Sequence, residues 1–191
     1  PTHRSPVARR RRTYQHRAWA QDEPAPDRNR VCSRSMVDEH RIPLERHAAR
    51  VLPINPAGEV LLLQCINPAS PEAPFWVSIG GGLEPGEDER QAVVRELWEE
   101  TLIRCEPADL RGPVQREVVE FAWAEYDIVQ HQAYYLVEVP DVVVSFARMD
   151  AIETATTLAY RWWSLDALSA TTEHVLPNVV TAIEAAFTLR S

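Results

Sequence analysis

The sequence predicts an α/β fold, a mixed sheet flanked by helices in an α/β/α sandwich. Three observations carry this. Apolar, β-branched runs at 48–54 and 60–66 are separated by Asn55-Pro56-Ala57-Gly58-Glu59, a hairpin signal. The second run is apolar at successive positions, as a central strand covered on both faces must be. Two long strand-like segments at 115–124 and 128–139 flank a turn near 125–127, and apolar residues recur with the helical period at 89–102 and 176–189.

In chain order, residues 1–35 lack hydrophobic periodicity and contain the run Arg9–Arg12. They are expected to form a disordered basic arm, leaving one domain at 36–191. The polar stretch Thr13-Tyr14-Gln15-His16-Arg17 after the arginines does not fit an export signal. Translation is expected to begin at Met36. After the hairpin, 67–74 reads as a proline-rich loop and 75–79 as a short strand leading into Gly80-Gly81-Gly82. Beyond 139, the sequence suggests an edge strand at 142–146, a polar loop at 149–156 and a strand at 158–164. A short helix from Leu165, capped by Ser164, and a last helix with an apolar stripe of Val179, Val180, Ile183, Ala186 and Phe187 follow.

Charge is divided unevenly. Residues 1–34 hold nine Arg against three acids, whereas 35–191 hold 11 Arg against 25 acids. So acidic a body is a poor nucleic-acid partner, and to handle anionic phosphates it needs a cation between like charges. No apolar run approaches the roughly 20 residues of a membrane span. Cys32, Cys65 and Cys105 are widely spaced, without CxxC, and a reducing, cytoplasmic compartment is expected. Cys65 and Cys105 read as small core residues.

The helix at 89–102 has two chemically different faces. At about 100° per residue, Val93, Val94, Leu97, Trp98 and Thr101 share an arc of roughly 140°. Arg95, Glu96, Glu99 and Glu100 lie opposite, around Ala92, whose small side chain leaves room for an ion or a phosphate. Each close pair of like charges costs a few tenths of a kcal/mol on a helix. Hard cations such as Mg²⁺ or Mn²⁺ offset that and also hold substrate phosphates. On a generic helix such a face is simply solvated. Here a glycine loop precedes it, and Glu87, eight residues before Arg95, is placed to form a turn-to-helix ion pair.

Gly81, Glu87, Arg95, Glu96, Leu97, Glu99, Glu100 and Ile103 stand at the spacings of the 23-residue box of the Nudix hydrolases. The chain resembles that family over about 46–189, including the run Arg161-Trp162-Trp163-Ser164-Leu165. It departs at Leu102, where the box has its second glycine, and at Ile79, where many members have proline. The resemblance implies a Nudix-type α/β/α sandwich and Mg²⁺- or Mn²⁺-dependent hydrolysis of the pyrophosphate link in a nucleoside diphosphate derivative. A nucleoside triphosphate, ADP-ribose or a nucleotide sugar would each qualify.

It implies Glu99 and Glu100 as principal metal ligands, Glu96 as a further ligand or a base, and the Gly81 carbonyl as a ligand. Glu87 and Arg95 become a bracing pair. The last ligand or base falls to Glu153, with Glu120, Glu125, Glu173 and His174 as rivals. Trp76, Gly82 and Tyr134 or Tyr135 are candidate substrate contacts, against core packing for each aromatic. Trp98 reads as core and His131 as structural. Dimers are common in the family, so a homodimer is allowed for. The alternatives are a nucleotide sensor on the same fold and an isoprenyl diphosphate isomerase, for which no suitable cysteine is evident near the box.

Overall fold

The computed structural model describes residues 41–190, so the arm expected at 1–35, the start expected at Met36 and Cys32 lie outside the described residues. Seven strands among the described residues form one sheet. Strand β1 (Ile42–Ile54) turns into β2 (Val60–Asn67), and the Asn55 side chain closes the turn by accepting the Glu59 N–H and donating to the Glu59 carboxylate. β1 and β2 pair only at Ile54 and Val60 and then diverge.

Two wings result. In one, β1 runs antiparallel to β4 (Ile79–Gly82) and parallel to β6 (Tyr126–Glu138), with β5 (Arg111–Trp123) on the far edge of β6. In the other, β2 pairs antiparallel with β3 (Ser70–Val77) and β7 (Thr157–Trp163).

Helices cover both faces. Leu61 and Leu63 pack with Ala49, Val51 and the buried Val93 and Leu97 of α1 (Glu89–Thr101). Val60 and Leu62, one residue out of phase, pack with Leu52, Ile54 and the Val179–Ile183–Ala186 stripe of α4 (Pro177–Arg190). The continuous apolar run of β2 therefore serves two cores, each large side chain contributing about 1.5–3 kcal/mol by burial. No described helix is long and apolar enough to cross a membrane.

Three segments differ from the sequence reading. Residues 70–74, expected as loop, are the first part of β3. β3 is an edge strand whose ladder is with β2; on its outer side it makes a single bridge, Trp76 to Val175, so Pro71 and Pro74 break no ladder. Residues 142–146 form no strand; the Val144 side chain is buried against the α1 core and the Ser145 N–H donates to the Thr101 carbonyl. The expected loop at 149–156 contains α2 (Ala151–Thr156), capped by Asp150, followed after β7 by α3 (Leu165–Ala170), capped by Ser164 as expected.

α1 starts at a reciprocal capping box. The Asp88 side chain accepts the Gln91 N–H and the Gln91 side chain accepts the Asp88 N–H, both at 2.9 Å. It ends at Leu102, in the left-handed conformation with φ 62°, whose N–H donates to the Trp98 carbonyl. The leucine thus takes the backbone shape of the glycine it replaces. That conformation costs an L-residue about 1–2 kcal/mol, and the Leu102 side chain is exposed enough to regain little by burial. Leu102→Gly is expected to stabilise the protein by about 0.5–1 kcal/mol, the relieved strain exceeding the added freedom of the unfolded chain. A lower thermal midpoint than wild type would contradict this.

Candidate active site

The glycine loop fits against α1 because its residues lack side chains. At Gly80, with φ +129°, a Cβ would lie 2.2 Å from the Ala49 carbonyl oxygen. At Gly81 it would lie 2.6 Å from Glu96 Oε1. The close approach lets the Gly80 N–H donate to Glu100 Oε2 at 3.0 Å. The Gly80 carbonyl accepts from Arg50, a lone guanidinium in the otherwise apolar second half of β1.

Arg95 organises the near side of the loop. It donates to both oxygens of Glu87 at 2.7 and 2.9 Å, to the Gly82 carbonyl at 3.0 Å, to Glu96 at 2.6 Å and to Glu99 at 3.1 Å. The bidentate pair with Glu87 spans turn and helix. These carboxylates hold the guanidinium protonated far above its ordinary range, against the opposing effect of burial.

Carboxylate oxygens of Glu96, Glu100 and Glu153 all lie within 4.8 Å of one another. Two come from one helix and the third from α2, more than fifty residues later. Glu153 is the third residue of α2, where Asp150 accepts the Ile152 and Glu153 N–H groups and Glu153 in turn accepts the Asp150 N–H at 2.8 Å. One carboxylate therefore both caps a helix and joins the cluster. Burial pushes the Glu100 carboxyl up to about 8, with Glu96 and then Glu153 adding repulsion, against the pull of the Gly80 N–H and Arg50. Three hard oxygen donors that resist ionising together are the donor set a divalent cation satisfies.

The other residues singled out in the sequence lie elsewhere. Glu99 is outside the cluster, on Arg95, with its side chain 31% exposed. The Gly82 carbonyl is occupied by Arg95. Trp76 and Tyr134, each 1% exposed, belong to the α4-side core. The Trp76 ring meets Trp163 edge-on, and the Tyr134 hydroxyl accepts from Gln132 and Asn178, so neither offers a free face for stacking. Tyr135 is buried on the other side, donating to Glu89.

Glu173 is bound by Arg161 and the Trp76 indole N–H, while Glu120 and Glu125 are exposed and outside the cluster. His174 meets Phe75 edge-on. Ala92, expected at the open centre of the acidic arc, is instead fully buried in the α1-side core. Cys65 is nearer the carboxylates than the sequence suggested, close enough for Glu100 to act on its charge, and burial pushes its thiol up to about 11.

Sequence reasoning missed two contributors. Asp150 was legible, since Asp150-Ala151-Ile152-Glu153 has capping-box spacing. Arg50 carried only the weak signal of one charge in an apolar strand.

A family model described as "NUDIX domain" matches residues 44–182. This chain belongs to the Nudix family. Nudix proteins generally use a divalent metal, in keeping with the glutamate cluster. This Nudix chain is similar to the CTP pyrophosphohydrolase of Escherichia coli K12, 45% identical over 62 residues. That match covers 32% of this chain and 44% of the relative, so the chain spans less than half the length of that curated protein.

Its fold is similar to that of a MutT protein from Methanosarcina mazei Go1, with TM-score 0.52 and 25% identity over 77% of this chain and 96% of the other. It is also similar to the Escherichia coli dihydroneopterin triphosphate pyrophosphohydrolase, with TM-score 0.56 and 23% identity over 76% and 96%. The Nudix domain of Shewanella oneidensis NrtR, solved with ADP ribose, gives TM-score 0.57 and 16% identity over 78% and 90%. The last two likenesses show the fold alone. The mixed sheet between two helical layers is the Nudix sandwich expected from the sequence.

Proposed function

We propose that this protein is a Mg²⁺- or Mn²⁺-dependent pyrophosphohydrolase that cleaves the pyrophosphate link of a nucleoside diphosphate derivative. The observation that carries the reading is the meeting of Glu96, Glu100 and Glu153 beside the glycine loop. Those three would hold the cation, with Glu99 at the rim and the Gly81 carbonyl as further candidate ligands. The cation would neutralise phosphate charge and activate water.

The chain's own groups supply the rest. Arg95 is engaged by Glu87, Glu96, Glu99 and Gly82, so it shapes the loop. The Gly80 N–H and Arg50 orient Glu100 and the loop from behind. Water adds to one phosphorus, the bond from that phosphorus to the bridging oxygen breaks, and a carboxylate accepts the proton of the water. Glu153 is the candidate base or last ligand, because it alone of the three comes from a separate element. A small-molecule nucleotide partner rather than nucleic acid fits the acidic body, and the cytoplasmic location expected from the cysteines belongs to the same reading.

The similarity to a CTP pyrophosphohydrolase puts nucleoside triphosphates first in a substrate panel, followed by ADP-ribose and nucleotide sugars. Phosphate or pyrophosphate release is expected with Mg²⁺ and is expected to stop with chelator. Turnover that persists in chelator overturns the proposal. Nucleotide binding with no release under any metal would favour the sensor instead. Glu153→Gln separates the two duties of that residue. Gln can still close the capping box, so the fold is expected to survive while turnover falls about 100- to 10,000-fold. Full activity in that variant removes Glu153 from the site.

A further inference from the structure

We propose that Arg148 is a positioning residue, which by lying on Trp98 holds the segment ahead of α2 against α1 and so sets where Glu153 meets Glu96 and Glu100. The inference rests on the reading of those three carboxylates as a metal site. The Arg148 guanidinium carbon lies 3.8 Å from the Trp98 ring centroid, and that of Arg104 lies 4.8 Å from it. Trp98 is on α1, between the turns that carry Glu96 and Glu100, and is only partly buried. The sequence reading of this residue as plain core therefore needs amending: its ring is a seat for cations.

What is seated is the chain that delivers Glu153. The Ser145 N–H donates to the carbonyl of Thr101, the last residue of α1, at 3.0 Å. Val144 and Met149 pack on the α1-side core, and Phe146 meets Tyr160 edge-on at 5.9 Å. Arg148 then touches α1 two residues before Asp150, the cap of the helix whose third residue is Glu153. An anchored segment presents its carboxylate at a fixed place. A segment free at that point would order it only on binding, at a cost in affinity.

A cation on a ring suits this position for a further reason. The contact needs no carboxylate, so it leaves every acid of the cluster to the metal. An exposed contact of this kind also adds little to global stability, so a loss of positioning is separable from a loss of fold.

The test uses Mn²⁺ binding to the full chain, followed by calorimetry or paramagnetic resonance, with Mg²⁺ activation and hydrogen exchange alongside. Arg148→Gln is expected to weaken Mn²⁺ binding and raise the Mg²⁺ activation constant about 3- to 10-fold. KM for nucleotide at saturating metal should stay unchanged, and the thermal midpoint should move by about 2 °C or less. Arg148→Lys, which keeps a cation for the ring, is expected to recover most of the affinity.

Trp98→Leu keeps the charge of Arg148 but removes the seat; combined with Arg148→Gln it is expected to cost no more than the larger single change. In the metal-free protein, exchange at the Ile152 and Glu153 amides is expected to quicken in Arg148→Gln. Wild-type Mn²⁺ affinity and wild-type exchange in that variant overturn the proposal, as do effects of the two substitutions that simply add. A wild-type protein that binds no Mn²⁺ overturns the metal-site reading itself, and this inference with it.

Discussion

Replacing Glu100 by Gln is expected to make the metal-free protein more stable at pH 8 while removing most of its turnover. In the folded chain without metal this carboxyl titrates near 8, against 4.5 as its ordinary value. Between those values the folded state binds more protons than the unfolded state, so stability falls as pH rises and the loss is complete above the folded value. Gln does not ionise and escapes that loss. It can still accept the Gly80 N–H through its carbonyl and donate its NH₂ to Glu96.

The variant should therefore exceed wild type by a few kcal/mol at most around pH 8–9 in chelator. The advantage should shrink to nothing toward about pH 4–5, as wild type recovers its proton. With Mg²⁺ the order should reverse, because wild type gains binding energy that the variant lacks. Turnover is expected to fall by more than the 10- to 100-fold typical of losing a group outside the ligand sphere. Thermal unfolding from pH 5 to 9, with and without Mg²⁺, together with phosphate release, measures all of this. A fully active variant would refute the assignment of Glu100.

Arg95→Lys is expected to be nearly as damaging, although the charge is kept. The Arg95 side chain is 16% exposed and its guanidinium makes five hydrogen bonds, to three carboxylates and to the carbonyl of Gly82. A lysine offers one compact ammonium, which cannot reach Glu87 with two parallel bonds and still serve Glu96, Glu99 and the loop. Partly buried carboxylates left without a partner cost more than the pair was worth. A loss of about 2–4 kcal/mol in urea unfolding is expected, with an unchanged slope. Activity at saturating metal should fall about 100-fold as the loop loses its shape. Wild-type stability in this variant would show that Glu87 and the glycine loop are braced by other means.

The parts of the site that the sequence displayed are the parts specified locally. The helical period of α1, the three glycines and the Glu87–Arg95 interval all lie within about two dozen residues, and each is governed by short-range geometry. β2 was legible for a related reason, since an uninterrupted apolar run has few other uses. Pro71 and Pro74 read as loop because proline excludes a central strand, and only the sheet order shows that β3 is an edge.

α2 was hidden by its length. Six residues show no periodicity, and its one signal, the Asp150–Glu153 spacing, is weak on its own. Trp76 and Tyr134 stand near the box in sequence or in the sheet, but a ring is buried or exposed according to what α4 and β7 bring to it. That Glu153 would meet Glu96 and Glu100 depends on contacts across more than fifty residues of chain.

The divergence of β1 from β2 after a single pair of residues has a mechanical consequence. Glu96 and Glu100 are fastened, through the glycine loop and β4, to the half-sheet of β1. Glu153 precedes β7, which belongs to the half-sheet of β2. The halves join by backbone pairing only at Ile54 and Val60, and the carboxylates lie on the two sides of that join. An ion gripped by all three would act as a rivet across the join, tying the two halves together where the backbone does not.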